Sequence, residues 1–293
     1  MFHKAWDQSA SSLDSTVIML IYSLCTLALI GALIFYLFFY RRWWRKRQLR
    51  NPFPKQWQET LGSQVPLYRR LPANLKRQLE QHVQLFLAEK PFYGCDGFEV
   101  DDTVRLTIAG HACLLIVARR FSDYDEISSI LVYPDEYRVR DVESDGLVVS
   151  VSDQVRAGEA SGYGQVVLAW SDCDEATNEP PGQHNVILHE FAHQLDYLDG
   201  TADGAPPLNG EQARQWQQTM SHAYEQLRAS LRHHEKPWLD PYGATEPAEF
   251  FAVLTETFFQ RPGHLKAEQP DVYHALAGFF RFDPLNLREH PAD

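Results

Sequence analysis

Between Thr16 and Tyr40 the chain reads TVIMLIYSLCTLALIGALIFYLFFY, with no charged side chain anywhere in the run. At about 1.5 Å per residue, such a segment spans a hydrocarbon core of roughly 30 Å with some tilt. A helix also keeps every backbone N–H and C=O paired within itself, which lipid demands and an irregular segment cannot supply. A cleaved signal peptide would have a shorter apolar stretch and a small-residue cleavage site, whereas this run ends in Tyr, Phe and Trp. The expectation is one N-terminal transmembrane helix over residues 16–40, preceded by a tail at 1–15.

The run is followed at once by RRWWRKRQLR, Arg41–Arg50, with six basic residues. Residues 1–15 carry only Lys4 against Asp7 and Asp14. The excess of Lys and Arg on the C-terminal flank places the rest of the chain on the cytoplasmic side. Trp43 and Trp44 suit the interfacial layer, and the basic cluster suits anionic headgroups as well as serving as a topology signal.

Charge separates the two parts of the chain further. Residues 1–50 hold seven Lys/Arg against two Asp, so the overall net charge of −12 leaves −17 on the remainder. A body so acidic repels a phosphate backbone, which argues against nucleic acid as a direct partner. The four cysteines, Cys25, Cys95, Cys113 and Cys173, form no C-x-x-C pair. With one of them inside the apolar run, a reducing compartment fits better than a disulfide framework.

Residues 41–72 read as a basic juxtamembrane segment and linker, because Pro52, Pro54, Pro66 and Pro72 interrupt any long element. Beyond them Asn74 would cap a helix to about Glu89 with Leu75, Leu79, Val83, Phe86 and Leu87 on one face. The apolar segment DDTVRLTIAGHACLLIV favours a helix, with His111 as a core histidine. Strands are expected at Ile127–Tyr133, Gly164–Trp170 and within Gly146–Ser152, where branched residues lie between turn formers. Helices are expected at about 183–199, 211–232, 247–260 and 270–281. Strands first and helices later make an α+β, helix-rich domain over residues 73–288, with a tail at 289–293.

Within the first of those later helices lies VILHEFAHQLDYLDG, Val186–Gly200. His189 and His193 at i and i+4 project from one helix face a turn apart, the spacing at which two imidazoles hold one Zn²⁺. Glu190, rotated by about 100°, can face a bound water without ligating, the place of a general base. Two histidines leave zinc under-coordinated, so a third ligand is required.

Three carboxylates are candidates. Asp199, six residues after His193, mimics a pattern that needs Gly at position 196, where this chain has Asp196. Glu249 and Glu256 share a face of the helix that Thr245 and Pro247 begin. Glu249 is favoured as the ligand and Glu256 as a residue that supports the ligands from behind without touching the metal. Tyr242, seven residues before Glu249, can donate to a developing oxyanion or be a turn residue in a Pro/Gly segment. Asp196 can hold an imidazole N–H or sit exposed.

LHEFAHQLDYLDG together with PYGATEPAEFFAVLTETFF resembles the Mlc titration factor A family of bacterial zinc peptidases. YRRLP, FEVDDTVRLTIAGHACLL, ILVYP, VVLAW and TADGAPPLNG extend the resemblance over about residues 66–288. The family's catalytic region is similar to the metalloprotease domain of anthrax lethal factor. The resemblance implies a zincin-like fold, one Zn²⁺ per chain held by His189, His193 and Glu249, Glu190 as base, and Tyr242 as transition-state donor. It also implies, by analogy with zincins, that VVLAW is the edge strand that pairs with substrate backbone. Members of that family are soluble cytosolic proteins, and the apolar run sets this chain apart. The family's partner is a glucose-responsive transcriptional repressor, for which no surface motif is visible here.

The function expected is a zinc metallopeptidase anchored in the bacterial inner membrane, with its catalytic domain in the cytoplasm. Its substrate would be a peptide or protein, with aminopeptidase and endopeptidase action both open. The alternative is a protein that sequesters a transcriptional regulator, with peptidase activity secondary. An intramembrane protease is disfavoured, since Gln183, His184, Asn185 and Gln194 around the motif are too polar for lipid. A closed structural zinc site would want a fourth protein ligand.

Overall fold

The structure, a computed structural model, describes residues 3–135, 137–144, 149–156, 158–161, 164–173 and 184–287. The chain divides into two compact units, Met1–Pro52 and Phe53–Asp293. In the first unit, helix α1 (His3–Phe35) passes through a π-helical turn at Tyr36–Tyr40 into helix α2 (Arg41–Gln48). Val17–Phe35 is the one stretch among the described residues long and apolar enough to cross a membrane, and its large apolar side chains are exposed. Aromatic pairs four residues apart, Phe35–Phe39 and Tyr36–Tyr40, stack at 5.3 and 4.9 Å between ring centroids. The segment expected as a tail is helical from His3 onward.

The second unit begins earlier than the sequence suggests. Residues 51–72 do not form a linker. They build helix α3 (Lys55–Gln64) and helix α4 (Pro66–Arg70), whose Leu61, Val65, Leu67, Tyr68 and Leu71 are buried. The prolines that signalled interruption are helix starters: Pro54 precedes α3, Pro66 opens α4, and Pro72 precedes helix α5 (Ala73–Glu89). At the first position of a helix the missing N–H costs nothing and the fixed φ is already helical. Pro72, not Asn74, therefore flanks α5.

Helix α6 (Asp102–Leu115) is capped by Asp101, which accepts the Val104 N–H at 2.8 Å. It is apolar nearly all round, as a helix enclosed by neighbours must be. Gly110 on α6 makes room for α3, because a methyl group there would lie 2.7 Å from both Leu61 and Val65 side chains. His111 is a core histidine, as expected: its Nδ1 lies 3.0 Å from the Thr107 carbonyl, and burial pushes its pKa down to about 4.

Among the described residues, four short strands form one sheet in the order β1 (Phe92–Gly94), β2 (Ser129–Tyr133), β6 (Gln165–Ala169), β5 (Gly158–Ser161). The first three are parallel, with Leu131 opposite Val167, and β5 runs antiparallel to β6. VVLAW is therefore not an edge strand: β2 occupies one side of it and β5 the other. The strand expected within Gly146–Ser152 coincides in part with β4 (Val149–Arg156), which pairs with β3 (Tyr137–Ser144) as a separate antiparallel ribbon. Residues 145–148 lie outside the described residues, as does the expected tail at 289–293.

The remaining helices are α7 (Val186–Asp196), α8 (Gly210–Arg232), α9 (Pro247–Gln260), α10 (Pro262–Glu268) and α11 (Pro270–Phe280). Val186, Ile187, Leu188, Phe191, Ala192 and Leu195 of α7 are all buried. Phe191 meets Phe86 of α5 and Tyr124 at 5.7 and 5.4 Å between centroids. On α9, Phe251 meets Trp216 and Phe279, and Phe258 meets Tyr273 and Phe280. Truncating such a buried ring costs about 3–5 kcal/mol. These rings pack α7 against α5 and α9 against α8 and α11.

Candidate metal centre

Asn185 begins α7, its side chain accepting the Leu188 N–H at 3.0 Å. With the helix start fixed, His189 and His193 follow one turn apart. Their Nε2 atoms lie 3.2 Å from one another. Glu249, in the first turn of α9, places Oε2 2.9 Å from His189 Nε2 and Oε1 3.5 Å from His193 Nε2. These three side chains converge so that one ligand atom from each falls within 4.8 Å of the others.

Two ring nitrogens facing each other at that distance need a positive species between them or a proton on one of them. Ligands of a tetrahedral ion with bonds of about 2.0–2.1 Å are roughly 3.3–3.4 Å apart. The imidazole pair has that spacing, and two nitrogens with one carboxylate are a common donor set for Zn²⁺. Glu190 adds a second indication. It is 4% exposed, and its Oε2 has no hydrogen-bond partner among the described residues. Burial pushes its pKa up to about 7, against the pull of His189 and His193. Such an oxygen suits a water held at the centre.

The charges sort in a consistent way. Burial alone would lower the pKa of His189, but hydrogen bonds with Glu249 and Glu256 overcome it and raise it to about 10. The same contacts, together with His193, hold Glu249 well below the usual carboxylate range in spite of its partial burial. A proton or a cation therefore belongs among these groups, and the carboxylate is ionised in either case.

Glu256 is buried one helical face-repeat beyond Glu249. Burial opposes its ionisation, and hydrogen bonds from His184 and His189 lower its pKa. His189 donates from Nδ1 to Glu256 Oε1 at 2.7 Å, and the Asn185 N–H donates to Oε2 at 2.7 Å. An ionised carboxylate can only accept, so the ring is left with Nε2 directed at His193 and Glu249. The structure thus places Glu256 behind His189.

Tyr242 lies in a 3₁₀ turn, Pro241–Ala244, where Asp240 Oδ1 accepts its N–H at 2.9 Å. Its ring centroid is 6.0 Å from that of His189, and the residue is 51% exposed. The residue is in a turn, and the turn sets the phenol ring beside the imidazole.

Asp196 departs from both of its readings. It is fully buried, and its Oδ2 accepts the Gly204 N–H at 2.8 Å while Oδ1 has no partner among the described residues. It lies in the last turn of α7, so the carboxylate meets the returning loop and not an imidazole. Burial pushes its pKa up to about 6, with the Gly204 N–H opposing. Asp199 is exposed and turns back on Thr201, accepting from its N–H and hydroxyl at 3.2 and 2.9 Å, so it is no ligand of this centre. His184, just before the helix cap, was not singled out from sequence. Its Nδ1 is 2.9 Å from Glu256 Oε2, and in the sequence it stood only as one of the polar residues around the motif.

Residues 40–281 match the sequence profile of the glucose-regulated metallo-peptidase M90 family. An uncharacterized protein of Synechocystis sp. is 41% identical over 265 residues, covering 88% of this chain and 96% of its own length. Mlc titration factor A of Edwardsiella ictaluri is 31% identical over 83% of this chain and 93% of its own. Mlc titration factor A of Escherichia coli is 28% identical over 85% of this chain and 94% of its own.

Proposed function

The chain belongs to the glucose-regulated metallo-peptidase M90 family, and on that premise we propose that it is a zinc metallopeptidase of zincin-like fold, anchored in the bacterial inner membrane with its catalytic unit in the cytoplasm. The observation that carries this reading is the convergence of His189, His193 and Glu249 beside Glu190, whose Oε2 has no partner among the described residues. His189, His193 and Glu249 would hold Zn²⁺. When bound, the ion lowers the pKa of water to about 7 and polarises a carbonyl oxygen.

The chain's own groups do the rest. Glu190 takes the proton of the attacking water and returns it to the leaving amine. Its burial raises its affinity for that proton, which suits an acceptor that must also donate. Tyr242 donates to the oxyanion that develops on the scissile carbonyl. A peptide in extended form adds to β5, the last strand of the sheet among the described residues, by backbone pairing. The basic residues of α2 keep that end of the anchor at the cytoplasmic face.

Incubation of the full chain in detergent with zinc and a mixed peptide library, read by mass spectrometry, tests the reading. Cleavage that a chelator stops and zinc restores is the expected result; an intact library in both conditions counts against it.

A second reading has one observation in its favour. Relatives that match over most of the chain are named for titrating the regulator Mlc. A regulator-binding role would survive Glu190→Gln unchanged, whereas the peptidase role would not.

A further inference from the structure

Glu256 is 4% exposed, and its carboxylate accepts three donors: Asn185 N–H, His189 Nδ1–H and His184 Nδ1–H. The first is backbone at the start of α7, and the second belongs to the ring proposed to bind metal. The third comes from a side chain that has no place in the mechanism above. His184 is half-exposed at 48%, so its inner nitrogen is spent on a buried anion while its outer edge meets solvent.

The two imidazoles also touch. Their centroids are 5.2 Å apart with planes at 64°, an edge-on contact. His189 is thus held twice by the same neighbour, once by ring against ring and once through a shared carboxylate. Both contacts act on one torsion, the rotation that would swing Nε2 of His189 away from His193 and Glu249. Outer hydrogen-bond partners of this kind set the tautomer and orientation of a ligating histidine, and losing one weakens metal binding by about 10–100-fold.

We infer that His184 is a positioning residue of the metal centre, fixing His189 through the shared carboxylate of Glu256 and by direct ring contact. The inference rests on the reading of His189, His193 and Glu249 as metal ligands. It needs no charge on His184, because a neutral ring with its proton on Nδ1 makes the same hydrogen bond.

The test compares zinc affinity of the full chain in detergent micelles, by competition with a chromophoric chelator, for wild type, His184→Asn and His184→Leu. Asparagine keeps an N–H at the place of Nδ1, whereas leucine keeps bulk without a donor. His184→Leu is expected to weaken zinc binding about tenfold, with His184→Asn within about twofold of wild type. Cobalt in place of zinc gives a second readout: its visible bands shift in His184→Leu and return in His184→Asn. His184→Ala replaces the leucine variant in the same comparison should the latter fail to give a native circular dichroism spectrum. Wild-type affinity and an unshifted cobalt spectrum in the donor-free variant overturn the inference, as does an asparagine variant as weak as leucine. A wild type that takes up no zinc overturns instead the reading on which the inference rests.

Discussion

Gly204 and Pro247 meet backbone to backbone: a methyl group on Gly204 would lie 2.3 Å from the Pro247 carbonyl oxygen. Gly204 adopts φ +76°, its N–H is held by Asp196 and its carbonyl accepts from Trp216 Nε1 at 3.0 Å. One glycine therefore fastens the end of α7 to the first residue of α9, two residues before Glu249. Alanine at this position meets both a left-handed backbone and a clash that side-chain rotation cannot relieve. Gly204→Ala is expected to lose about 2–4 kcal/mol in urea unfolding, and to weaken zinc binding although residue 204 touches no proposed ligand. Stability within about 0.5 kcal/mol of wild type would contradict this account of the loop.

Zinc at a hundred times its Kd stabilises a folded chain by about 2.7 kcal/mol. For a unit of this size that raises Tm by roughly 5–10 °C. His193→Ala, which removes one of two nitrogen donors, should abolish the rise in a calorimetric scan. An equal rise in the variant would place the metal elsewhere.

The proposed zinc binding should depend on pH through His189. Its pKa is raised from 6.5 to about 10, so the protonated ring contributes stability fully below 6.5, and the contribution is lost as pH rises through about 10. Zinc competes with that proton for Nε2. Its Kd should therefore fall about tenfold per pH unit between about pH 7 and 9 for the one proton displaced. Calorimetry in buffers of different ionisation enthalpy counts the proton directly, and a Kd unchanged over that range would contradict the assignment.

Much of this centre was readable in the chain. The i, i+4 histidines and Pro247 at a helix start are local signals, and both helices formed where those signals placed them. Long-range pairings were less legible. Asp196 sits on a helix end, and only the return of the loop to Gly204 decides that it is buried. His184 gains its meaning from Glu256, far along the chain, and no local pattern links them. The prolines at 54, 66 and 72 were misread because the same residue that ends one helix begins another, and only the buried Leu61 and Val65 distinguish the cases. The short strands β1 and β5 carry too few residues to show alternation, so the true edge beside β6 was hidden.

Topology can be checked apart from chemistry. With six basic residues after the apolar helix, a green fluorescent protein fused to the C-terminus should fluoresce, and an alkaline phosphatase fused there should be silent. The opposite pair of results would place the catalytic unit outside the cytoplasm.

The central claim is that Glu190 moves the proton at a zinc centre built by His189, His193 and Glu249. The most direct measurement compares the full chain with Glu190→Gln for zinc content and for peptide turnover in the same preparation. The account predicts one zinc in both proteins, with turnover in the variant lowered by at least about 10²–10⁴-fold, the share a general base contributes. Equal turnover at equal zinc content would contradict it.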